Sequence, residues 1–139
     1  MQPGSTVVTD EEVPKTVLIV EEDDAQREAL ANELLADGYR VVALEDGLEL
    51  FEYLELVLTG ARVPRPAMIV SDVSLAGYDG VTLCRIFSHA EAGVPFILLA
   101  PSDDPDSWED AEAAGASHVL DKPVDLRSFH KVVACYLGD

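Results

Sequence analysis

Five short apolar runs, each followed by a stretch with helical spacing, leave this chain few folds to choose from. The predicted strands are 16–20, 39–44, 67–71, 94–99 and 117–120. The first, from Thr16 to Val20, is continuously apolar, as a strand buried on both faces of a parallel sheet must be. The predicted helices lie between and after them. Helix 25–36 turns Ala29, Leu30 and Leu34 inward, with Asp24 as its cap and Gly38 as its stop. Leu48, Phe51, Leu54 and Leu58 mark a second helix that ends at Gly60. The stretch 61–66, with two prolines and two arginines, reads as a loop. Helix 81–89 offers Leu83, Ile86 and Phe87 to a core, and 106–114 is an alanine-rich acidic helix ended by Gly115. Asp125 caps a last helix in which Leu126, Phe129, Val132, Val133 and Tyr136 repeat at helical spacing. Alternation this strict predicts an α/β protein, a doubly wound five-stranded parallel sheet with helices on both faces. Right-handed crossovers favour the order 2-1-3-4-5, with its switch point between the first and third strands.

The 139 residues fit one domain at 15–139, behind a polar leader at 1–14 that reads as disordered. Met1 to Pro14 has no basic or apolar segment of a signal peptide, and no apolar run approaches the roughly 18 residues of a membrane span. A cytoplasmic protein is expected, without membrane contact. The net charge of −18 argues against direct nucleic-acid binding by this chain and suits a cation or a partner with a basic surface. Cys84 and Cys135 lie in apolar helical contexts and read as buried, reduced thiols. His89, His118 and His130 are dispersed without ligand spacing, and Trp108 reads as packing for its helix.

Three strand ends carry the chemistry. The first strand runs into Glu21, Glu22, Asp23 and Asp24, the third into Asp72, and the fifth into Asp121 and Lys122. In an open parallel sheet these ends face one crevice. A carboxylate cluster with one ammonium suits a divalent cation and a phosphoryl group. Without a cation, close carboxylates repel and one pKa rises.

These residues resemble the receiver domain of two-component response regulators from about Thr16 to Leu137. The resemblance rests on the acidic pair, the turn from Asp72 to Gly80 with its Gly77-x-Asp79-Gly80 ending, the Gly115-Ala116 step, and Lys122-Pro123. It implies a flavodoxin-like (βα)5 fold and a protein that is not an enzyme beyond its own phosphorylation and dephosphorylation. It implies Asp72 as phosphoacceptor, and Mg2+ held by Glu21, Glu22, Asp72 and the backbone carbonyl of Ser74. Lys122 is implied to pair with the acceptor or its phosphoryl group, and a cis peptide is implied before Pro123. The implied partners are a histidine kinase or phosphotransfer protein, a downstream protein on the face of the fourth helix, fifth strand and fifth helix, and a second copy of the chain.

Three positions depart from the family's pattern. Glu22 stands where an aspartate usually ligates the metal. Ala100 stands where a threonine or serine usually donates to the phosphoryl group, and Ser102 is constrained as a substitute by Pro101. Val119 stands at the switch aromatic. Acceptor and lysine are thus present while the usual relay is not. Two functions compete: a phosphorelay receiver that uses Asp72, and a degenerate receiver that binds partners without phosphorylation. A magnesium-dependent hydrolase lacks a second acid–base group, and a flavin carrier would meet four acids where it needs a phosphate loop.

Overall fold

The computed structural model describes residues 13–91 and 93–138. The leader read at 1–14 therefore lies almost wholly outside the described residues. Ten elements alternate in chain order: β1 (Thr16–Val20), α1 (Asp24–Ala36), β2 (Arg40–Leu44), α2 (Gly47–Leu58), β3 (Pro66–Asp72), α3 (Gly80–Ala90), β4 (Phe96–Pro101), α4 (Pro105–Ala113), β5 (His118–Lys122) and α5 (Leu126–Leu137). The sheet is parallel throughout, in the order β2-β1-β3-β4-β5. This is the expected topology.

Residue alternation splits the core into two layers. Leu18, Val20, Ile69, Phe96 and Leu98 face α2, α3 and α4, where Leu50, Leu54, Leu83 and Phe87 cover them. Val17, Ile19, Met68, Val70, Ile97 and Leu99 face α1 and α5, where Leu30, Leu34, Phe129 and Val133 cover them. Phe87, Phe96 and Phe129 are fully buried, each contributing about 1.5–3 kcal/mol of apolar transfer. Among the described residues no helix is long and apolar enough to cross a membrane.

Several local expectations change. Asp23, not Asp24, caps α1: it holds the extended backbone of a cap and its carboxylate accepts from the Ala25 amide. Ile86 is 53% exposed, because α3 turns Leu83, Cys84 and Phe87 inward instead. Leu126 and Tyr136 are also exposed, and Leu137 takes the inward place at the end of α5. Cys84 is buried, and burial pushes its thiol pKa up; Cys135 is exposed, on the outer side of α5. β4 begins at Phe96 and runs on to Pro101, later than the apolar pattern suggests. Asp125 caps α5 as expected, Asp79 caps α3, and Trp108 of α4 packs against the core.

Candidate functional site

Register decides what meets at the sheet edge. Val20 is paired with Ser71, so the residues that follow, Glu21 and Asp72, emerge side by side. Asp72 is the last residue of β3, opposite Leu99 of β4. Lys122 ends β5 opposite Pro101 and extends across the end of β4. Its ammonium donates to Asp72 Oδ1 at 2.8 Å and lies 3.3 Å from Glu21 Oε2. Three residues from three strands, 101 positions apart at the extremes, thus share one corner.

The corner is nearly dry on its acidic side. Glu21 is 1% exposed and Asp72 4%, whereas the lysine side chain keeps a partial path to solvent. Glu21 Oε1 accepts from the Asp23 amide, and its backbone carbonyl is held by Arg27 at 2.8 Å. Glu21 Oε2 is buried without a hydrogen bond; the nearby ammonium is in ion-pair range but not aligned to donate to it. Burial pushes the Asp72 carboxyl up to about 7; Glu21 adds to the rise, and Lys122 opposes it. Burial works against the Lys122 ammonium, but Asp72 and Glu21 outweigh it, and its pKa stands above the ordinary lysine value.

The backbone around Asp72 is tightly set. Ser71 Oγ donates to the Asp72 carbonyl at 2.9 Å, and the Val73 amide donates to the Leu99 carbonyl. Gly80 opens α3 directly against this carbonyl; a Cβ there would fall 1.9 Å from the Asp72 oxygen, so only glycine fits.

Glu21, Asp72 and Lys122 are brought together. Glu22 is not part of that trio: it is exposed, and its Oε2 accepts from the Ala76 amide at 2.5 Å. Ser74 lies on the exposed turn just past Asp72. Ala100 is fully buried opposite Asp121, and Val119 is buried opposite Leu98; both belong to the apolar layer under α4. The peptide before Pro123 is cis. None of the three histidines reaches the corner: His130 stands against Asp37 and His118 meets Tyr136 edge-on, while His89 lies in the last turn of α3.

A hard cation fits the donors of this corner. Two carboxylates face one ammonium, one carboxylate oxygen has no hydrogen bond, and the acceptor's pKa is raised first by burial and then by Glu21. Among the described residues no three His, Cys, Asp or Glu side chains stand together as a ready metal cage. Magnesium keeps several waters and commonly takes only one or two carboxylates, the number that Glu21 and Asp72 offer here.

Reading residue types alone misses the backbone partners here: the Ala76 amide, the carbonyl of Glu21 held by Arg27, and the Gly80 contact. Only the last leaves a signal, in the glycine after Asp79.

Comparison with known proteins shows the family and the fold. The family model described as response regulator receiver domain matches residues 17–134. The transcriptional regulatory protein CseB of Streptomyces coelicolor is 39% identical over 109 residues, covering 78% of this chain and 43% of that protein. Response regulator MprA of Mycobacterium sp. strain KMS is 32% identical over 114 residues, 82% of this chain and 46% of the relative. The chain thus spans less than half the length of these curated relatives. Among solved structures, a putative response regulator from Chloroflexus aurantiacus superposes with a TM-score of 0.78 at 29% identity, covering 91% of this chain and all of that one. The receiver domain of the sensor histidine kinase PA1611 from Pseudomonas aeruginosa, solved with a magnesium ion in its active-site cleft, gives a TM-score of 0.73 at 24% identity, covering 91% of this chain and 100% of that one.

Proposed function

This chain belongs to the response regulator receiver family, and on that premise we propose that it accepts a phosphoryl group on Asp72. The observation that carries the reading is the 2.8 Å pair between Lys122 and Asp72, with Glu21 beside it, at the switch point of the sheet. The donor is a histidine kinase or phosphotransfer protein, and the setting is the cytoplasm. Output is a protein contact, made by this domain or by a domain attached to it. Receiver domains are phosphoacceptors rather than enzymes with a separate substrate.

One carboxylate oxygen of Asp72 attacks phosphorus, forming an O–P bond. The bond from phosphorus to the donor's histidine nitrogen breaks, and the nitrogen leaves with the electron pair. Asp72 must be ionised to attack, and Lys122 favours the ionised form. Lys122 then meets the negative charge of the transferred group, which the buried corner gives little water to screen. Glu21, Glu22, Asp72 and the Ser74 carbonyl are the groups that the resemblance implies would hold magnesium; of these, Glu22 is turned to the Ala76 amide. A bound magnesium ion supplies neutralisation of carboxylate and phosphoryl charge.

A second reading has its own support. Ala100 offers no hydroxyl to the phosphoryl group, and Val119 fills its place in the core. A receiver of this kind can present one binding surface whether phosphorylated or not.

The test is intact mass after incubation with magnesium and acetyl phosphate, with Asp72→Asn alongside. A gain of one phosphoryl group in the parent only, labile to hydroxylamine, is expected. No gain from acetyl phosphate or from a phosphorylated donor protein would leave the phosphorylation-independent reading in its place.

A further inference from the structure

The turn between β3 and α3 is seated from two sides. On one side stands the start of α2. The Gly47 amide donates to the Ala76 carbonyl at 2.9 Å, and Tyr78 stacks on Phe51 with ring centroids 4.4 Å apart. Gly47 packs so closely that a Cβ there would fall 1.9 Å from the Tyr78 carbonyl oxygen. On the other side stands the end of β1. Glu22 accepts from the Ala76 amide across 54 positions of sequence. The peptide groups of Ala76 are therefore tied at both poles, the carbonyl to α2 and the amide to β1. Ala76, Gly77 and Tyr78 are exposed, so little apolar burial holds this turn, and polar ties matter more.

Glu22 differs from its neighbour in what it touches. Glu21 is in ion-pair range of Lys122, and Glu22 has no such pair among the described residues. Side-chain length accounts for the choice. An aspartate at position 22 would be shorter by one carbon–carbon bond, roughly 1.5 Å, which would put its oxygen beyond hydrogen-bond reach of Ala76. The extra methylene carries the carboxylate past the acceptor corner and onto the turn.

We infer that Glu22 is a positioning residue, a latch that ties the turn bearing Ser74 to the end of β1 through the Ala76 amide, and that it is not a direct ligand of the cation. The longer side chain exchanges one cation ligand for a preset loop. Ser74, two residues before Ala76, is thereby held near Asp72 before any cation arrives. A cation at this corner is part of the function proposed above; the Ala76 tie is not, and it stands whether or not a cation binds.

The test is amide hydrogen exchange and nuclear magnetic resonance on the full chain, without metal and then titrated with magnesium chloride. Without metal, the Ala76 amide exchanges at least about tenfold faster in Glu22→Ala and Glu22→Asp than in the parent, as loss of a charge-assisted hydrogen bond requires. Glu22→Gln keeps an acceptor of the same length and keeps most of the protection. In the magnesium titration, Glu22→Gln binds within about threefold of the parent, and Glu22→Asp binds more tightly because it restores a ligand. The Ala76 amide stays protected in the magnesium-loaded parent. Unchanged Ala76 exchange in Glu22→Ala would overturn the latch. A tenfold loss of magnesium affinity in Glu22→Gln, or loss of Ala76 protection when the parent takes up magnesium, would show Glu22 to be a ligand instead. If no magnesium binds to the parent at all, the cation site proposed above fails, and the metal-free exchange still decides the latch.

Discussion

At the ends of β1, β3 and β5 the chain keeps charge: Glu21, Asp72 and Lys122 meet within 3.5 Å contacts. One strand away, two positions carry no charge: Ala100 near the end of β4 is fully buried and Val119 in β5 is 8% exposed, both in an apolar layer. The two corners share a sheet, a register and the same crevice, yet they ask different things of the sequence. Accepting a phosphoryl group needs a nucleophile and a cation fixed at strand ends, which parallel register supplies. Transmitting it needs a donor that reaches the new group and a packed element with two arrangements. Ala100 has no donor, and Val119 sits close-packed where a mobile ring would need room. Acceptance and transmission are separate devices, and here the groups proposed for the first are present without the usual groups of the second.

Removing the acceptor's charge should give the largest effect. Folded Asp72 holds its proton to about 7, whereas an ordinary carboxylate releases it near 3.8. Between those values the unfolded chain binds fewer protons, so stability falls as pH rises through that window. The gap bounds the loss at about 4 kcal/mol. Asp72→Asn should match the parent at pH 4 in urea unfolding and exceed it at pH 8 by up to that amount. Parallel pH profiles would mean that the corner is not strained by its charges.

Lys122→Ala comes next. Stripping the partner from a mostly buried carboxylate should cost about 3 kcal/mol at pH 8, the low end for such pairs because the lysine is 29% exposed. It should also raise the Asp72 pKa further, readable by carbonyl resonance titration. An Asp72 pKa that does not move would remove Lys122 from the acceptor's electrostatics.

At the other corner, Val119→Ala should cost about 2 kcal/mol through lost apolar burial and a residual cavity. The yield of phosphorylated Asp72 should not change. A loss of phosphorylation beyond that caused by unfolding would join the two corners that the comparison separates. Smallest is Tyr136→Phe. The residue is 39% exposed, and its hydroxyl donates to the Ser117 carbonyl at 2.6 Å, so about 0.5–1 kcal/mol is expected in the same unfolding measurement. Its phosphorylation should again match the parent.

Strand order and the acceptor corner could be read from residues because both rest on strong, repeated signals. β1 is buried at every position, and each strand of the corner ends in, or runs directly into, a charged residue where the apolar run stops. The cap of α1 was harder to place. Four consecutive acids offer the same chemistry, and only the backbone angles and the bond from the Ala25 amide single out Asp23. Helix faces were ambiguous for a related reason. Ile86 shares helical spacing with Phe87 and Leu83, but it flanks an open apolar groove beside Leu58, between α2 and α3, rather than the sheet. Tyr136 follows the period of α5 but lies at its outer edge, where its hydroxyl finds Ser117. The partner of Glu22 left no trace in side-chain pattern, because the group it meets is a backbone amide that any residue but proline would provide.

The separation of the two corners is tested most directly by mapping amide resonances before and after phosphorylation of Asp72. The account predicts large shifts near Glu21, along the turn from Val73 to Gly80, and beside Lys122, with His118, Val119 and Tyr136 nearly still. Shifts across His118, Val119 and Tyr136 as large as those beside Asp72 would contradict it, and would mean that the signal crosses the sheet without a hydroxyl at Ala100 or an aromatic ring at Val119.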